Sequence, residues 1–288
     1  MKIAAVVILY HPTKSVLTNI KTYYDYLEKI FVFDNSEVKS LIEDDLLALP
    51  KVEFCHNFEN EGIAKRLNEG CILAIKEHFD WILTMDQDSS FSADTIITYF
   101  NCCKQFKEKE KIAMFGLEYG RYNNNTSHNC MPKKVDKLIT SGSLLNLSLF
   151  NKIGKFDEAL FIDSVDYDYC FRAIIAGYSI IQFQNIYLLH SVGRIVYRSS
   201  VKTFFIIKKE KEVHSALRLY YMYRNLLYLN KKYKDQEKRF SKQIRDYVMS
   251  KIKVNILYGR NTWTILKYIK AAKEDFENNK MGKIEHEL

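Results

Sequence analysis

Hydrophobic positions in the first 115 residues alternate between two periods. Short apolar runs of strand length lie at residues 3–10, 29–33, 52–56, 81–85 and 111–117. Between them the apolar residues recur every third or fourth position. Val16, Ile20, Tyr23, Tyr24 and Leu27 mark a helix over residues 15–27, and residues 63–77 and 93–107 read the same way. Strands alternating with helices at this spacing predict βαβ units, a mostly parallel sheet and right-handed crossovers.

The rhythm then loosens. Residues 121–137 show no period and read as an irregular loop. Residues 138–145 read as a strand interrupted by Ser141-Gly142-Ser143, and a glycine inside a strand marks close approach of a ligand or of another backbone. A helix over 167–176 stops at Gly177 in a C-cap position, and a strand over 178–189 delivers His190 to its end. After about residue 200 the pattern turns helical, with helices expected over 214–228, 242–258 and 261–272. Two parts follow: an α/β domain over residues 1–200 and a helical region over 201–288.

Composition narrows the class. With 47% hydrophobic and 27% charged residues the chain reads as a soluble globular protein, and 3 Pro and 10 Gly argue against long linkers. No run approaches the ~18 apolar residues of a membrane span, and the apolar run at residues 3–10 is too short for a secretory leader. The six Cys show no metal-type spacing and read as reduced thiols in a cytosolic chain. Charge is unevenly shared: residues 201–288 carry 21 Lys and Arg against 10 Asp and Glu, a net of +11, which leaves −3 for residues 1–200. A basic, aromatic-rich tail fits an anionic surface, or is simply a solvated helical face. Its basic amphipathic helices suit a membrane face, packing on the α/β domain, or a dimer.

Candidate chemistry clusters at strand ends. Asp86 and Asp88 directly follow the buried run Trp81 to Met85, where open α/β sheets bind ligands. Two carboxylates so close repel each other unless a cation or hydrogen-bond donors compensate, and Mg²⁺ or Mn²⁺ shared with substrate phosphates suits them. A surface turn is the plain alternative. Asp34, past the second strand, can accept hydrogen bonds from a base or ribose, or close an Asx turn. Asp163, Asp166 and Asp168 fall within six residues near a helix start. N-capping accounts for one or two of them, not three.

The order Asp34-Asn35-Ser36, Asn60-x-Gly62, Asn68-x-Gly70, Asp86-x-Asp88, Ser141-Gly142-Ser143, Asp166-x-Asp168-Tyr169-Cys170-x-Arg172 and His190-x-x-Gly193 resembles family 2 of the inverting glycosyltransferases, and within it the bacterial rhamnosyltransferases. The resemblance covers about residues 1–230, including His214-x3-Arg218 and Arg224-Asn225. It implies a GT-A fold, a Rossmann-like, mostly parallel central sheet flanked by helices, followed by the helical extension. Tyr10, Asp34, Asn60, Gly62, Asn68 and Asp86 would line the nucleotide, with Gly70 shaping the pocket. Asp86, Asp88 and His190 would hold Mg²⁺ or Mn²⁺, and His214, Arg218 and Arg224 would contact the diphosphate. Asp166 stands where the family has its base, with Asp163, Asp168, Ser141 and Gly142 toward the acceptor. Val165 precedes Asp166 where the family often has Glu, which leaves the choice between Asp166 and Asp168 open.

The implied partners are a nucleotide-diphosphate sugar donor, dTDP-rhamnose first and UDP-galactofuranose or a UDP-hexose as alternatives, and a saccharide or lipid-linked saccharide acceptor in surface polysaccharide synthesis. A non-catalytic glycan- or membrane-binding protein of the same fold is the competing reading. A nucleotidyltransferase is disfavoured because Tyr10-His11-Pro12-Thr13-Lys14 is not a Gly-rich phosphate loop. No nucleic acid is expected, a homo-oligomer is left open, and the expected location is the cytoplasm or the inner membrane face. Inverting transfer needs one general base and positive charge on the leaving diphosphate, and no covalent nucleophile.

Overall fold

A computed structural model describes residues 1–120, 129–190, 194–204, 206–234, 236 and 238–285. The chain divides into two compact units: residues 1–158 with 165–191, and residues 159–164 with 192–288. In the first unit β1 (Ile3–Leu9), β2 (Lys29–Asp34), β3 (Val52–His56) and β4 (Trp81–Asp86) run parallel in the order β3-β2-β1-β4. The helices α1 (Ser15–Tyr24), α2 (Glu43–Leu47) and α3 (Ile63–Lys76) connect them, and α4 (Ala93–Gln105) follows the short β5 (Ser89–Ser90). β1 is buried along almost its whole length, which is why its sequence is apolar without alternation.

Beyond β4 the sheet becomes mixed. β8 (Ser143–Asn146) lies antiparallel between β4 and β6 (Ile112–Tyr119), and β6 pairs in parallel with β9 (Ser179–His190). β5 and β7 (Pro132–Lys134) pair antiparallel with β9. β7 lies inside the stretch whose letters suggested an irregular loop, of which residues 121–128 are outside the described residues. Its three residues are all exposed, so no burial pattern marks it as a strand. The strand expected over 138–145 begins only at Ser143, because the backbone turns at Gly142 with a φ of +71°. α5 (Leu147–Ile153) and α6 (Val165–Ile175) complete this unit.

Two features differ from the sequence reading. Cys102 on α4 and Cys130 are joined in a disulfide, so the expectation of six reduced thiols is corrected. Their Cα atoms stand 5.6 Å apart, within bonding range, although 28 positions separate them in the chain. The region after residue 200 is also not wholly helical. β11 (Lys209–Val213) lies within it and pairs in a hairpin with β10 (Arg194–Arg198) just before it, and both runs are too short and too charged to read as strands.

The second unit packs this hairpin with α7 (Ala216–Lys232), α8 (Lys238–Tyr258) and α9 (Thr262–Glu277). The Ser215 side chain caps α7 by accepting from the Arg218 amide. The apolar faces of α8 and α9 are turned into this unit's own interior: Phe240, Ile244, Val248 and Ile252 are buried, as are Ile265, Ala271 and Ala272. Arg224 is buried here. Its guanidinium donates to the Tyr220 hydroxyl at 3.0 Å and to the carbonyls of Lys280 at 3.4 Å and Gly282 at 2.6 Å. The Tyr220 hydroxyl in turn donates to Asp275 at 2.6 Å. The arginine therefore fastens the segment after α9 to α7. At the end of β11 the His214 ring is nearly buried, 3.5 Å from Glu212, with its amide donating to Asn255. Burial, and then the charge of Arg218, holds this imidazole below its ordinary pKa, although the Glu212 and Asp163 carboxylates oppose the shift.

Arg224→Met leaves two carbonyls and a tyrosine hydroxyl without their donor. At ~1–3 kcal/mol per stranded buried group, we expect unfolding free energy to fall by about 3 kcal/mol, read in urea melts. His214 binds a proton more readily unfolded than folded. Its contribution to stability is therefore present above the unfolded value of about 6.5 and is lost as pH falls below it. The thermal midpoint should drop between roughly pH 7 and pH 5, and His214→Gln should flatten part of that slope.

Candidate active site

The strand order reverses beside β1: β2 and β3 lie on one side and β4 on the other. A crevice opens at such a switch point beyond the carboxyl ends of the strands. Register aligns what ends there. Leu9 pairs with Asp34, Asp34 with His56, and Ile8 with Asp86.

Asp34 is fully buried. Its Oδ1 accepts from the Ser36 amide at 2.9 Å and from the Ser36 hydroxyl at 2.5 Å, so the Asx turn is real. Its Oδ2 is buried with no hydrogen-bond partner among the described residues. An unmet buried carboxylate oxygen is costly, ~1–3 kcal/mol or more, and marks a place where a donor from a ligand is wanted. Around it the loops are tied down. Ser36 Oγ accepts from the His11 amide at 2.7 Å, and Asn35 Oδ1 accepts from Arg66 Nε at 2.8 Å. Asn60 Oδ1 accepts from the Gly62 amide at 3.1 Å, and Gly62, at a φ of +83°, caps the N-terminus of α3.

Tyr10 is exposed at the end of β1. Gln87 grips its backbone on both sides, accepting from the amide at 2.9 Å and donating to the carbonyl at 3.1 Å. Asn68 is placed differently from the expectation. It is buried, donates to the Phe156 carbonyl and Glu158, and accepts from the Phe156 amide, so it braces the loop after α5. Gly70 is also a packing residue: a Cβ there would stand 2.6 Å from Val6.

Asp86 is partly buried and Asp88 exposed at the end of β4. The Ser141 hydroxyl accepts from the Asp86 amide at 3.3 Å and donates to Ser89 at 2.7 Å, and the Gly142 amide donates to Thr84 at 2.8 Å. A Cβ on Gly142 would meet Leu188 at 2.8 Å, so the small residues let this turn close against β9. The Asp86 charge also reaches two phenols. Burial, then Asp86, raises the Tyr23 pKa. Burial raises that of Tyr119, with Asp166, Cys170 and Asp86 adding. Tyr119 thus feels both acidic clusters, and its hydroxyl stays protonated and able to donate.

A divalent cation suits this donor set in part. Asp86 and Asp88 offer hard carboxylate oxygens, and no group of three His, Cys, Asp or Glu converges on one point among the described residues. Two carboxylates completed by phosphate oxygens and water is how Mg²⁺ is commonly held. The backbone of His190 ends β9 opposite Ser89, but its side chain lies outside the described residues, as do Ser191 to Gly193.

The two candidates for the base are distinct in their surroundings. Asp168 is fully buried and paired with Arg172 Nε at 2.9 Å. That guanidinium also donates to the carbonyls of Ile153, Gly154 and Lys155, so the pair closes the turn between α5 and α6. Asp166, in the first turn of α6, is partly exposed, with one oxygen accepting from the Tyr167 amide at 2.9 Å. Only Asp166 has the accessibility a proton acceptor needs.

Four predicted residues belong to the second unit. Asp163 and Arg218 form an ion pair at 3.3 Å there, beside His214, and Arg224 holds the segment after α9. Asp163 and its neighbours Phe161 and Ser164 all have positive φ, near +60°. Asn225 Nδ2 holds that strained turn by donating to the carbonyls of Leu160, Ile162 and Asp163. Sequence reasoning missed Gln87, Arg66 and Tyr119. Gln87 sits inside the Asp-x-Asp motif and was the one recoverable signal.

Comparison with known proteins agrees with this geometry. The profile of Glycosyl transferase family 2 matches residues 9–137. The dTDP-rhamnosyl transferase RfbF of Shigella flexneri is 27% identical over 249 residues, which are 80% of each chain. The crystal structure of S. aureus TarS superposes with a TM-score of 0.53 at 12% identity, covering 90% of this chain and 44% of that one. TarS residues 1–349 in complex with UDP-GlcNAc superpose with a TM-score of 0.50 at 12% identity, covering 97% and 92% of the two chains. These TarS likenesses speak for the fold alone. With residues 9–137 matching the family 2 model on a mostly parallel GT-A sheet, this chain is similar to the family 2 enzymes and is a glycosyltransferase.

Proposed function

We propose that the first unit binds a nucleoside-diphosphate sugar and transfers the sugar, with inversion, to a hydroxyl of a saccharide or lipid-linked saccharide. The observation that carries the reading is the buried, unmet Oδ2 of Asp34 at the switch point. It is an acceptor where a ribose hydroxyl or a base N–H would be recognised. Asn35, Ser36, Asn60 and Gly62 hold the loops around it, and Gln87 sets the backbone of Tyr10.

Asp166 is the general base. It takes the proton from the acceptor hydroxyl while that oxygen bonds to the anomeric carbon, and the bond to the diphosphate oxygen breaks with its electron pair leaving on the phosphate. Asp86 and Asp88 would hold Mg²⁺ or Mn²⁺, which supplies Lewis-acid stabilisation of the departing diphosphate. Asp168 and Asn68 are assigned to scaffolding. The donor we favour is dTDP-rhamnose, because a relative 27% identical over 80% of the chain is a dTDP-rhamnosyl transferase. Synthesis of a bacterial surface polysaccharide is the matching role.

Two experiments test this. In thermal shift with Mn²⁺ or Mg²⁺, dTDP or another nucleoside diphosphate should raise the midpoint of the wild type. Asp34→Asn, which keeps the Ser36 contact, should weaken that nucleotide by about tenfold or more, the loss of one charge-assisted hydrogen bond. Unchanged nucleotide affinity in Asp34→Asn would sink the pocket assignment. In a transfer assay over dTDP-, UDP- and GDP-sugars, Asp166→Asn should lower kcat by about 10²–10⁴ with nucleotide binding intact. Asp168→Asn should instead lower the melting temperature, leaving kcat per folded molecule within a few-fold. The reverse pattern would exchange their roles.

A further inference from the structure

The helices α8 and α9 bury one apolar face each inside their own unit, leaving Met249, Trp263 and Leu266 exposed singly, and the same unit leaves a denser apolar group uncovered. The connection between β10 and β11 makes a short 3-10 turn at Val201–Thr203, and its tip exposes large side chains. Val201 is 66% exposed, Phe204 84%, Ile206 82% and Ile207 60%. Single exposed apolar residues are ordinary, but four within seven positions at one hairpin tip are not. The base of the hairpin is secured, since Val196 and Val213 pack with Tyr258 and Arg198 donates to the carbonyls of Tyr258 and Gly259.

The charge around this tip has one sign in excess. Residues 194–213 carry six Lys and Arg against two Glu. Glu212 is already paired with Lys251 at 2.5 Å and faces His214. Lys202, within the tip, lies close enough to Lys253 of α8 that the neighbouring ammonium pulls its pKa below the ordinary lysine value. Such crowding is relieved by an anion.

We propose that the β10–β11 tip is a membrane-docking element, placing Val201, Phe204, Ile206 and Ile207 among the acyl chains of an anionic phospholipid surface while Lys202, Lys208 and Lys209 meet the headgroups. Apolar side chains at the tip with lysines set back toward the strands match the layering of such a surface, where hydrocarbon lies beneath phosphate. A protein partner would more commonly cover the tip with a groove and pair its lysines individually. No helix of the described chain is long and apolar enough to cross a membrane, so attachment would be peripheral. The proposal does not depend on the donor site and stands or falls separately from it.

The test is co-sedimentation of the full chain with vesicles of phosphatidylcholine alone and of phosphatidylcholine mixed with phosphatidylglycerol, at low and high salt. Wild type should pellet with the anionic vesicles, less so as salt rises, and weakly with the neutral ones. Phe204→Ser/Ile206→Ser should lower the partition coefficient by about tenfold or more, since each exposed side chain stands to bury most of its apolar area. Lys202→Glu/Lys208→Glu should lower it by a further route that high salt mimics. Both variants alter solvent-facing side chains, so melting temperature and nucleotide-induced stabilisation should stay at wild-type values. Absence of wild-type binding to anionic vesicles, or equal binding by Phe204→Ser/Ile206→Ser, would overturn the proposal. So would a concentration-dependent dimer in ultracentrifugation that the apolar variant dissolves, because a second copy would then be what covers the tip.

Discussion

Because β1 hydrogen-bonds in parallel to β2 on one side and to β4 on the other, the three strands finish at one edge of the sheet. This pairing brings Asp34 and Asp86, 52 positions apart in sequence, to either side of Tyr10. Each acidic residue ends a strand whose interior is too buried to hold a charge, so the end is where a carboxylate is tolerated. The site is therefore a consequence of strand order. A different crossover would leave the same motifs on separate edges.

Two kinds of acidic residue emerge, separated by what compensates them. Asp168 is neutralised by Arg172, whose remaining donors go to backbone carbonyls, and such a closed network rigidifies a turn without leaving a hand free for chemistry. Asp34 keeps one buried oxygen without a hydrogen-bond partner among the described residues, and Asp166 stays partly accessible in the first turn of α6. The same contrast separates Arg224, enclosed by carbonyls and a tyrosine, from the Lys202 and Lys208 that stand at the surface.

Much of the first unit was legible in the letters. Buried parallel strands are continuous apolar runs, and the helices between them are amphipathic, so β1 to β4 and α1, α3 and α4 could be located within a few residues. β7 and the β10–β11 hairpin could not, because β7 is three exposed residues and the hairpin strands are five-residue runs dominated by charged side chains with few buried positions each. The Cys102–Cys130 bond was equally hidden: nothing in the spacing of the six cysteines says which pair will meet.

For the site, sequence alone determined which residue types stand at the ends of elements: Asp34 and the Asp86-x-Asp88 pair after strands, the Asp163 to Asp168 cluster at a helix start and Ser141-Gly142 in a turn. Those follow from local order along the chain. Only the tertiary structure decided their work. It left one oxygen of Asp34 unmet, tied Asn68 to the distant loop after α5, closed Asp168 onto Arg172 and through it the turn before α6, and left Asp166 partly exposed. The physical reason is that a polar side chain's role depends on which hydrogen bonds are already made when it is buried. Those partners come from elements that sequence proximity does not reveal.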